Sequence, residues 1–343
     1  MISVLAFPVN GISYTECFYP ALESLGVKVQ ECVFAGRWLL ANLRQGDYVH
    51  LHWPSFLYGD PRPAGCLRKF ALFLFFLALA RWRGARIVWT VHNLYPHDRC
   101  VIPQLDQLVR WLLVRVGWRF PVHGSSAEAE VLRAFPAMKG KTIVIDHGHW
   151  IGYYPNSITR DAAYSELGLT DRDFVFLFIG ACKPYKNIEM LVDIFASLPP
   201  HAVLLIAGRF TDPNYESTIR KAIEQSPGRV ILHAGYVADE KMQVYLNACD
   251  VVVTPYAEIL TSGTAMLALS FGRPVIAPAR GFLKDTIVEG CGVLYDPRRP
   301  DDLARAMQEA MNEKFDSSQI LSEAAKHDWK ISARRFLDGL TSA

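Results

Sequence analysis

Two stretches of this chain carry the residue types that hold a diphosphate. In Phe178-Ile179-Gly180-Ala181-Cys182-Lys183-Pro184-Tyr185-Lys186-Asn187, a run of strand-forming residues ends at a glycine, and two lysines follow. Gly180 allows a tight backbone turn, and Lys183 and Lys186 place two ammonium groups at the end of the strand. The second stretch, Asp250 to Pro278, reads strand, loop, helix, strand. There Ser262 is a candidate N-cap, and Gly263 leaves the N–H groups of the first turn uncovered as far as Thr264. Lysines and a helix N-terminus at the C-terminal edge of parallel strands suit a leaving group whose negative charge grows during reaction. Taken alone, the first stretch also reads as a loop with its lysines in solvent, and the second as an ordinary βαβ connection.

The second group of candidates is a set of histidines. His50, His52, His92, His97, His147 and His149 fall at or just past the C-terminal ends of predicted strands, beside Trp53 and Asn93. They are read as the wall of a site facing a cleft. His-x-His occurs twice, as a metal site would need, but an i, i+2 pair on a strand shares one face and no carboxylate or cysteine set completes a shell. No metal is therefore expected. Asp98 and His97, just past the fourth strand, are candidate general bases toward an acceptor hydroxyl; Glu16 and Asp146 are further carboxylates at strand ends.

These residues need parallel strands to bring them to common edges. Residues 2–7, 29–34, 48–54, 86–93, 120–123 and 141–145 read as strands, with helices over 66–82, 103–117 and onward from Ser125 or Ser126, where Glu128 completes a capping box. After a polar stretch at 154–169 read as a linker, strands at 174–180, 202–208, 230–232, 251–253, 275–277 and 292–295 alternate with helices, and 317–340 is helical. The alternation predicts an α/β chain of two doubly wound halves. The expected domains are residues 1–155, joined by a tail helix at 328–343, and residues 156–327, with a cleft between them for ligands.

Composition narrows the function classes. At 343 residues the chain exceeds one hydrophobic core. A formal charge of +2 is too small to argue for nucleic acid. Seven scattered cysteines without CxxC or metal spacing point to reduced thiols, and the first seven residues read as a strand, not an export signal. Phe70 to Ala80 is an eleven-residue apolar run flanked by Arg68, Lys69, Arg81 and Arg83. It is too short to span a bilayer, which needs about twenty such residues. It reads as a helix covering a sheet, as one whose basic ends meet anionic lipid, or as both.

In order along the chain, Leu51-His52-Trp53-Pro54, Thr90-Val91-His92-Asn93-Leu94-Tyr95-Pro96-His97, His147-Gly148-His149, Lys183-Pro184-Tyr185-Lys186 and the block from Ser262 to Val275 resemble the GT-B nucleotide-sugar glycosyltransferases. More narrowly, they resemble the bacterial β-mannosyltransferases of exopolysaccharide assembly, of the xanthan type. The resemblance implies two Rossmann-like domains with a C-terminal helix crossing back, and sugar transfer from a nucleotide-diphosphate donor to a polyprenyl-diphosphate-linked oligosaccharide. It implies inversion at the anomeric carbon and a place on the cytoplasmic face of the cell membrane. Protein cations are expected to meet the donor charge, so no cofactor beyond the donor substrate is expected. Retaining relatives carry an arginine after the glycine matching Gly180, where this chain has Ala181. They also carry two glutamates across the 250–278 block; Glu258 stands for the first, but Leu267 occupies the second position. Both departures favour the inverting reading. Mannose from GDP-mannose is the expected sugar. A UDP-glucuronic acid or UDP-glucose transferase, a sugar-nucleotide 2-epimerase and a non-catalytic nucleotide-sugar-binding subunit are the alternatives.

Overall fold

The computed structural model describes residues 2–96, 100–299 and 301–342, so the base candidates His97 and Asp98 lie outside the described residues. The chain divides into two units, Met1–Gly148 with Asp328–Ala343, and His149–His327. The break thus falls at Gly148, a few residues before the expected boundary at 155.

The first unit holds β1 (Ser3–Phe7), β2 (Lys28–Glu31), β3 (Tyr48–Leu51), β4 (Arg86–Trp89), β5 (Gly117–His123) and β6 (Thr142–Ile145), in the spatial order β2-β1-β3-β4-β5-β6. Every pairing is parallel. The order reverses between β1 and β3, the place where a doubly wound sheet opens a crevice beyond its C-terminal edge. Register matters here. Leu51 stands opposite both Phe7 and Trp89, so the chains leaving β1, β3 and β4 emerge at one level.

The second unit holds β7 (Phe174–Ile179), β8 (Ala202–Gly208), β9 (Arg229–Ala234), β10 (Val251–Val253), β11 (Val275–Pro278) and β12 (Gly292–Tyr295). Their order is β12-β11-β10-β7-β8-β9, and all pairings are parallel. All seven residues of β8 and all three of β10 are buried, as expected for strands covered by helices on both faces. This sheet reverses between β7 and β10, the two strands that deliver the lysine loop and the Ser262 loop. The two stretches singled out as diphosphate-binding flank one switch point.

Several local expectations change. The polar stretch at 154–169 contains the helix Arg160–Leu167, capped by Thr159 at one end and by left-handed Gly168 at the other. Its polar residues are anchors: Gln243 Oε1 accepts from the Ser157 and Ile158 N–H groups, and Arg160 meets Asp250 at 2.6 Å. The capping box does not form. Gly124, at φ +86°, precedes the helix Ser125–Ala134, and the Glu128 carboxylate accepts from Thr142 Oγ1. The helical tail is two helices, Ser317–Ala325 and Trp329–Thr341, the second started by Asp328, whose side chain accepts from the Lys330 N–H. This last helix belongs to the first unit, where it packs on the helix Ser13–Glu23 and on β6.

The apolar run lies inside a 20-residue helix, Pro63–Trp82, which by length and composition alone could cross a membrane. Its inner face is committed elsewhere. Cys66, Phe70, Phe73, Phe76, Leu77, Leu79 and Ala80 are buried in the first unit, against β4 and the helices Gly36–Asn42 and Ser55–Tyr58. Of the flanking basic groups, Lys69 pairs with Asp60 and Arg83 donates to the Leu40 and Leu43 carbonyls. Arg68 and Arg81 form no ion pair among the described residues.

Candidate active site

In the second unit the site is built around Gly180. Its φ of +119° is open to glycine and strained for other residues, and a Cβ there would sit 3.6 Å from Lys186 Nζ and 3.7 Å from Thr264 Oγ1. The three residues therefore frame one small space at the switch point. Beneath it Gly208 is equally constrained, since a Cβ would lie 1.8 Å from the Gly180 carbonyl oxygen. The lysine loop runs as a short 3-10 turn over Pro184–Lys186 and hands over to the next helix through Asn187, a left-handed residue at φ +58°. The Ala257 N–H donates to the Tyr185 carbonyl, stitching the lysine loop to the loop after β10.

Lys186 is only 7 % exposed. No carboxylate pairs with it among the described residues; its ammonium instead donates to Tyr256 Oη at 3.2 Å and lies 4.6 Å from the centre of that ring. Burial pulls its pKa down, but the oxygens of Tyr256 and Tyr185 outweigh this and hold it above the ordinary lysine value. Among the described residues no anion neutralises this buried charge, so an anionic ligand would meet a charge-assisted donor here. Across the switch point, Ser262 caps the helix Gly263–Ser270 by accepting from the Ala265 N–H at 3.2 Å. Trp150 braces that helix at both ends, its N–H donating to Ser270 Oγ and its Nε1–H to the Gly263 carbonyl. Lys183 is half-buried in the same loop, and Glu258 stands exposed in the loop after β10. Sequence reasoning missed Tyr256, Trp150 and Gly208.

In the first unit the histidines form a layer, but an internal one. His50, His52, His92, His123 and His147 follow the order of β3, β4, β5 and β6 across the sheet, with successive ring centres 4.3 to 5.4 Å apart. Tyr14 lies over the row, its ring edge-on to His52, His92, His123, His147 and Trp329 at 4.8 to 5.4 Å. His50, His52 and His123 are at most 1 % exposed, so they are core and not a surface wall. Burial holds His52, His92 and His123 neutral, well below the ordinary imidazole range, and takes His50 down to about 3. A connected set of hydrogen bonds runs through part of the layer. Thr90 Oγ1 meets His50 Nε2 at 2.8 Å, His50 Nδ1 meets Tyr19 Oη at 3.0 Å, Tyr19 Oη meets His52 Nε2 at 2.6 Å, and His52 Nδ1 meets His92 Nε2 at 2.8 Å. His92, 6 % exposed, ends the run with half-buried Trp53 stacked on it at 4.4 Å and 11°. Half-buried Asn93 follows it directly.

Other candidates are placed differently. His149 belongs to the second unit, where its N–H donates to the His327 carbonyl and its Nδ1 accepts from the Ile151 N–H. His147 Nδ1 bonds the Gly148 carbonyl at 2.9 Å. The Glu16 carboxylate accepts from the Gly11 N–H at 2.9 Å, holding the loop after β1. Asp146 pairs with Arg335 at 2.6 Å, fastening the last helix. Tyr14, Tyr19 and His123 were missed, although His123 ends a strand like its neighbours. Among the described residues no group of three or more His, Cys, Asp or Glu side chains could hold a metal ion.

The family model described as glycosyl transferases group 1 matches residues 160–328. A GDP-mannose:glycolipid 4-beta-D-mannosyltransferase from Xanthomonas campestris pv. campestris is 30 % identical over 277 residues, 78 % of this chain and 70 % of the relative. A second such enzyme from the same pathovar is 28 % identical over 298 residues, 84 % of this chain and 76 % of the relative. Among solved structures, Anabaena Alr3699/HepE in complex with UDP and glucose superposes with a TM-score of 0.71 at 17 % identity, over all of both chains. The two parallel sheets, their switch points and the returning helix are those of the GT-B fold. The chain is a GT-B glycosyltransferase and belongs to the family of the GDP-mannose:glycolipid 4-β-mannosyltransferases.

Proposed function

We propose that this glycosyltransferase moves mannose from GDP-mannose to a polyprenyl-diphosphate-linked oligosaccharide, with inversion, while resting on the cytoplasmic face of the cell membrane. The observation that carries the donor assignment is Lys186, a buried ammonium with no carboxylate partner among the described residues, beside Gly180 and Thr264 and near the helix start at Gly263. A diphosphate supplies the anion this arrangement lacks. Its oxygens reach the ammonium and the first-turn N–H groups, which stabilise the charge that grows as the sugar leaves. Protein cations meet that charge, so transfer proceeds without a metal. The choice of GDP-mannose rests on the two Xanthomonas relatives.

Inversion is supported by the chain's own carboxylates. Leu267 is buried in the helix Gly263–Ser270, so the second glutamate of retaining relatives has no counterpart there. A single displacement needs a base near the acceptor, and Asp98 and His97 keep that role.

The membrane assignment rests on the outer face of Pro63–Trp82. Leu67, Ala71, Phe75, Ala78 and Trp82 recur at helical spacing and are all exposed, Trp82 by 75 %. Arg68 and Arg81 border the stripe on its two sides. An outward apolar stripe edged by arginines that form no ion pair among the described residues suits shallow insertion into an anionic leaflet.

A panel of GDP, UDP, GDP-mannose, UDP-glucose and UDP-glucuronic acid, read by melting temperature, tests the donor. A ligand at a hundredfold its Kd stabilises by about 2.7 kcal/mol. Stabilisation by the GDP pair alone is expected; stabilisation by the UDP set moves the reading to a glucosyl or glucuronosyl donor, and a flat panel removes the donor site. Incubation with GDP-mannose and lipid-linked acceptor should then give a β-linked product with chelator present. Conversion of the donor without acceptor would point to an epimerase.

A further inference from the structure

The hydrogen-bonded run from Thr90 to His92 has a direction, and the geometry fixes it. A neutral imidazole donates through one nitrogen and accepts through the other, and the Tyr19 hydroxyl, buried with these two histidines as its partners among the described residues, must give its proton to one of them, so the four linked bonds keep two consistent polarities. In one, Thr90 donates to His50 Nε2, His50 Nδ1–H donates to Tyr19 Oη, Tyr19 O–H donates to His52 Nε2, and His52 Nδ1–H donates to His92 Nε2. In the other, every bond reverses.

Two observations choose the first, and the last bond follows from them. Thr90 is fully buried and its hydroxyl has His50 as its one partner among the described residues, so in the reversed polarity a buried O–H donor would have no acceptor. The two bonds of Tyr19 Oη are unequal, 2.6 Å to His52 and 3.0 Å to His50. Hydroxyl donors make the shorter bonds and N–H donors the longer ones, so Tyr19 gives its proton to His52 and receives one from His50. Both members of the His52–His92 pair are buried and neutral, so one proton lies between them at 2.8 Å, and Tyr19 has already assigned it to His52.

We propose that Thr90, His50, Tyr19 and His52 are positioning residues that hold His92 as a neutral imidazole with its one proton on Nδ1, so that His92 meets the substrate as a hydrogen-bond donor to a carbohydrate oxygen and not as the base. This rests on the glycosyl-transfer reading given above. His92 Nε2 is occupied as an acceptor, and Nδ1 has no hydrogen-bond partner among the described residues. Trp53, stacked on the ring, fixes the plane in which Nδ1–H points. The position suits the role, because His92 leaves β4 at the same level as the chains leaving β1 and β3, beside the switch point. A neutral, oriented donor selects for a hydroxyl or ring oxygen at a fixed place and adds no charge that would favour a phosphate there.

The test reads the tautomer directly. Long-range proton–nitrogen correlation spectra of protein labelled at histidine nitrogen, without ligand at pH 7.5, assign the proton of each ring, with His92→Asn identifying the His92 signals. The expected result is His92 protonated at Nδ1 alone, changing to a mixture of tautomers in Tyr19→Phe and in Thr90→Val. Protonation at Nε2, or a mixture in the wild type, overturns the proposal. This readout is independent of donor identity, so it separates failure here from failure of the glycosyl-transfer reading, which the nucleotide panel reports. Kinetics supply the second arm. Asn places an N–H donor near the position of Nδ1, so His92→Asn should keep kcat within about tenfold while His92→Ala raises the KM for the sugar substrate by roughly tenfold or more. Loss of turnover in His92→Asn as complete as loss of a base would produce, with nucleotide binding intact, also overturns it.

Discussion

Lys186 Nζ stands 3.2 Å from Tyr256 Oη, and the ammonium lies 4.6 Å from the centre of the same tyrosine ring. The tyrosine offers a hydroxyl acceptor and the face of a π-system, and neither neutralises the charge. The pair is a cation held ready, with its aim set by an aromatic ring that the sequence places 70 positions away.

Replacing Lys186 by methionine should therefore separate binding from folding. Loss of a charge-assisted contact to diphosphate is expected to cost about 1.5–3 kcal/mol, roughly ten- to a hundredfold in nucleotide affinity. The fold of the free protein should survive the change, because methionine keeps the apolar length of the side chain and no ion pair among the described residues is broken. Calorimetric titration with the nucleotide that the panel selects, alongside melting of the apo protein, checks both; undiminished affinity would show that the diphosphate lies elsewhere.

Gly180→Ala tests the space that Lys186 and Thr264 share. At φ +119° an alanine is strained by about 1–3 kcal/mol, and its methyl enters the gap between the ammonium and the threonine hydroxyl. Lower thermal stability together with weakened nucleotide binding is expected. Weakened stability with full affinity would place the phosphates outside this gap.

The buried histidines make a pH prediction whose sign is fixed. His50, His52, His92 and His123 have folded pKa values below the unfolded value near 6.5, with His50 at about 3. Below pH 6.5 the unfolded chain takes up protons that the folded chain refuses, so the stability present above that pH is lost as pH falls. Each histidine contributes a slope of about 1.4 kcal/mol per pH unit once the unfolded ring is protonated. Denaturant midpoints measured from pH 7.5 to 5 should fall steeply below 6.5. A flat profile would mean that the layer is protonated or solvated in the folded protein.

Phe75→Glu combined with Leu67→Glu puts two charges on the outer stripe of Pro63–Trp82, where both side chains are about half exposed. Cosedimentation with anionic vesicles should fall sharply while melting and nucleotide binding stay near wild type, since neither residue supports the core. Unaltered vesicle binding would remove this face from the membrane reading.

The sequence by itself determined the architecture. Strand-forming runs such as Val251–Val253 and Phe174–Ile179, each closed by a loop and a helix, have one stable solution, parallel sheets covered on both faces. The same local rules marked Gly180, Ser262 and the lysines, because a tight turn, a cap and a helix start are properties of neighbours in the chain. Polar residues were harder to read. The 154–169 stretch reads as a linker because local composition does not reveal that Gln243 and Asp250, far along the chain, hold Ser157, Ile158 and Arg160. Only the tertiary structure decided which groups are charged and which way they face. Strand register and the helices Ser13–Glu23 and Trp329–Thr341, which set Tyr14, Tyr19 and Phe336 against the rings, bury His50, His52 and His123 and leave them neutral, and the packing of Tyr19 between two imidazoles sets the direction of their protons. Burial and hydrogen-bond direction arise from elements distant in sequence, so a row of histidines legible as a wall of a site became an interior layer that orients a single one of them.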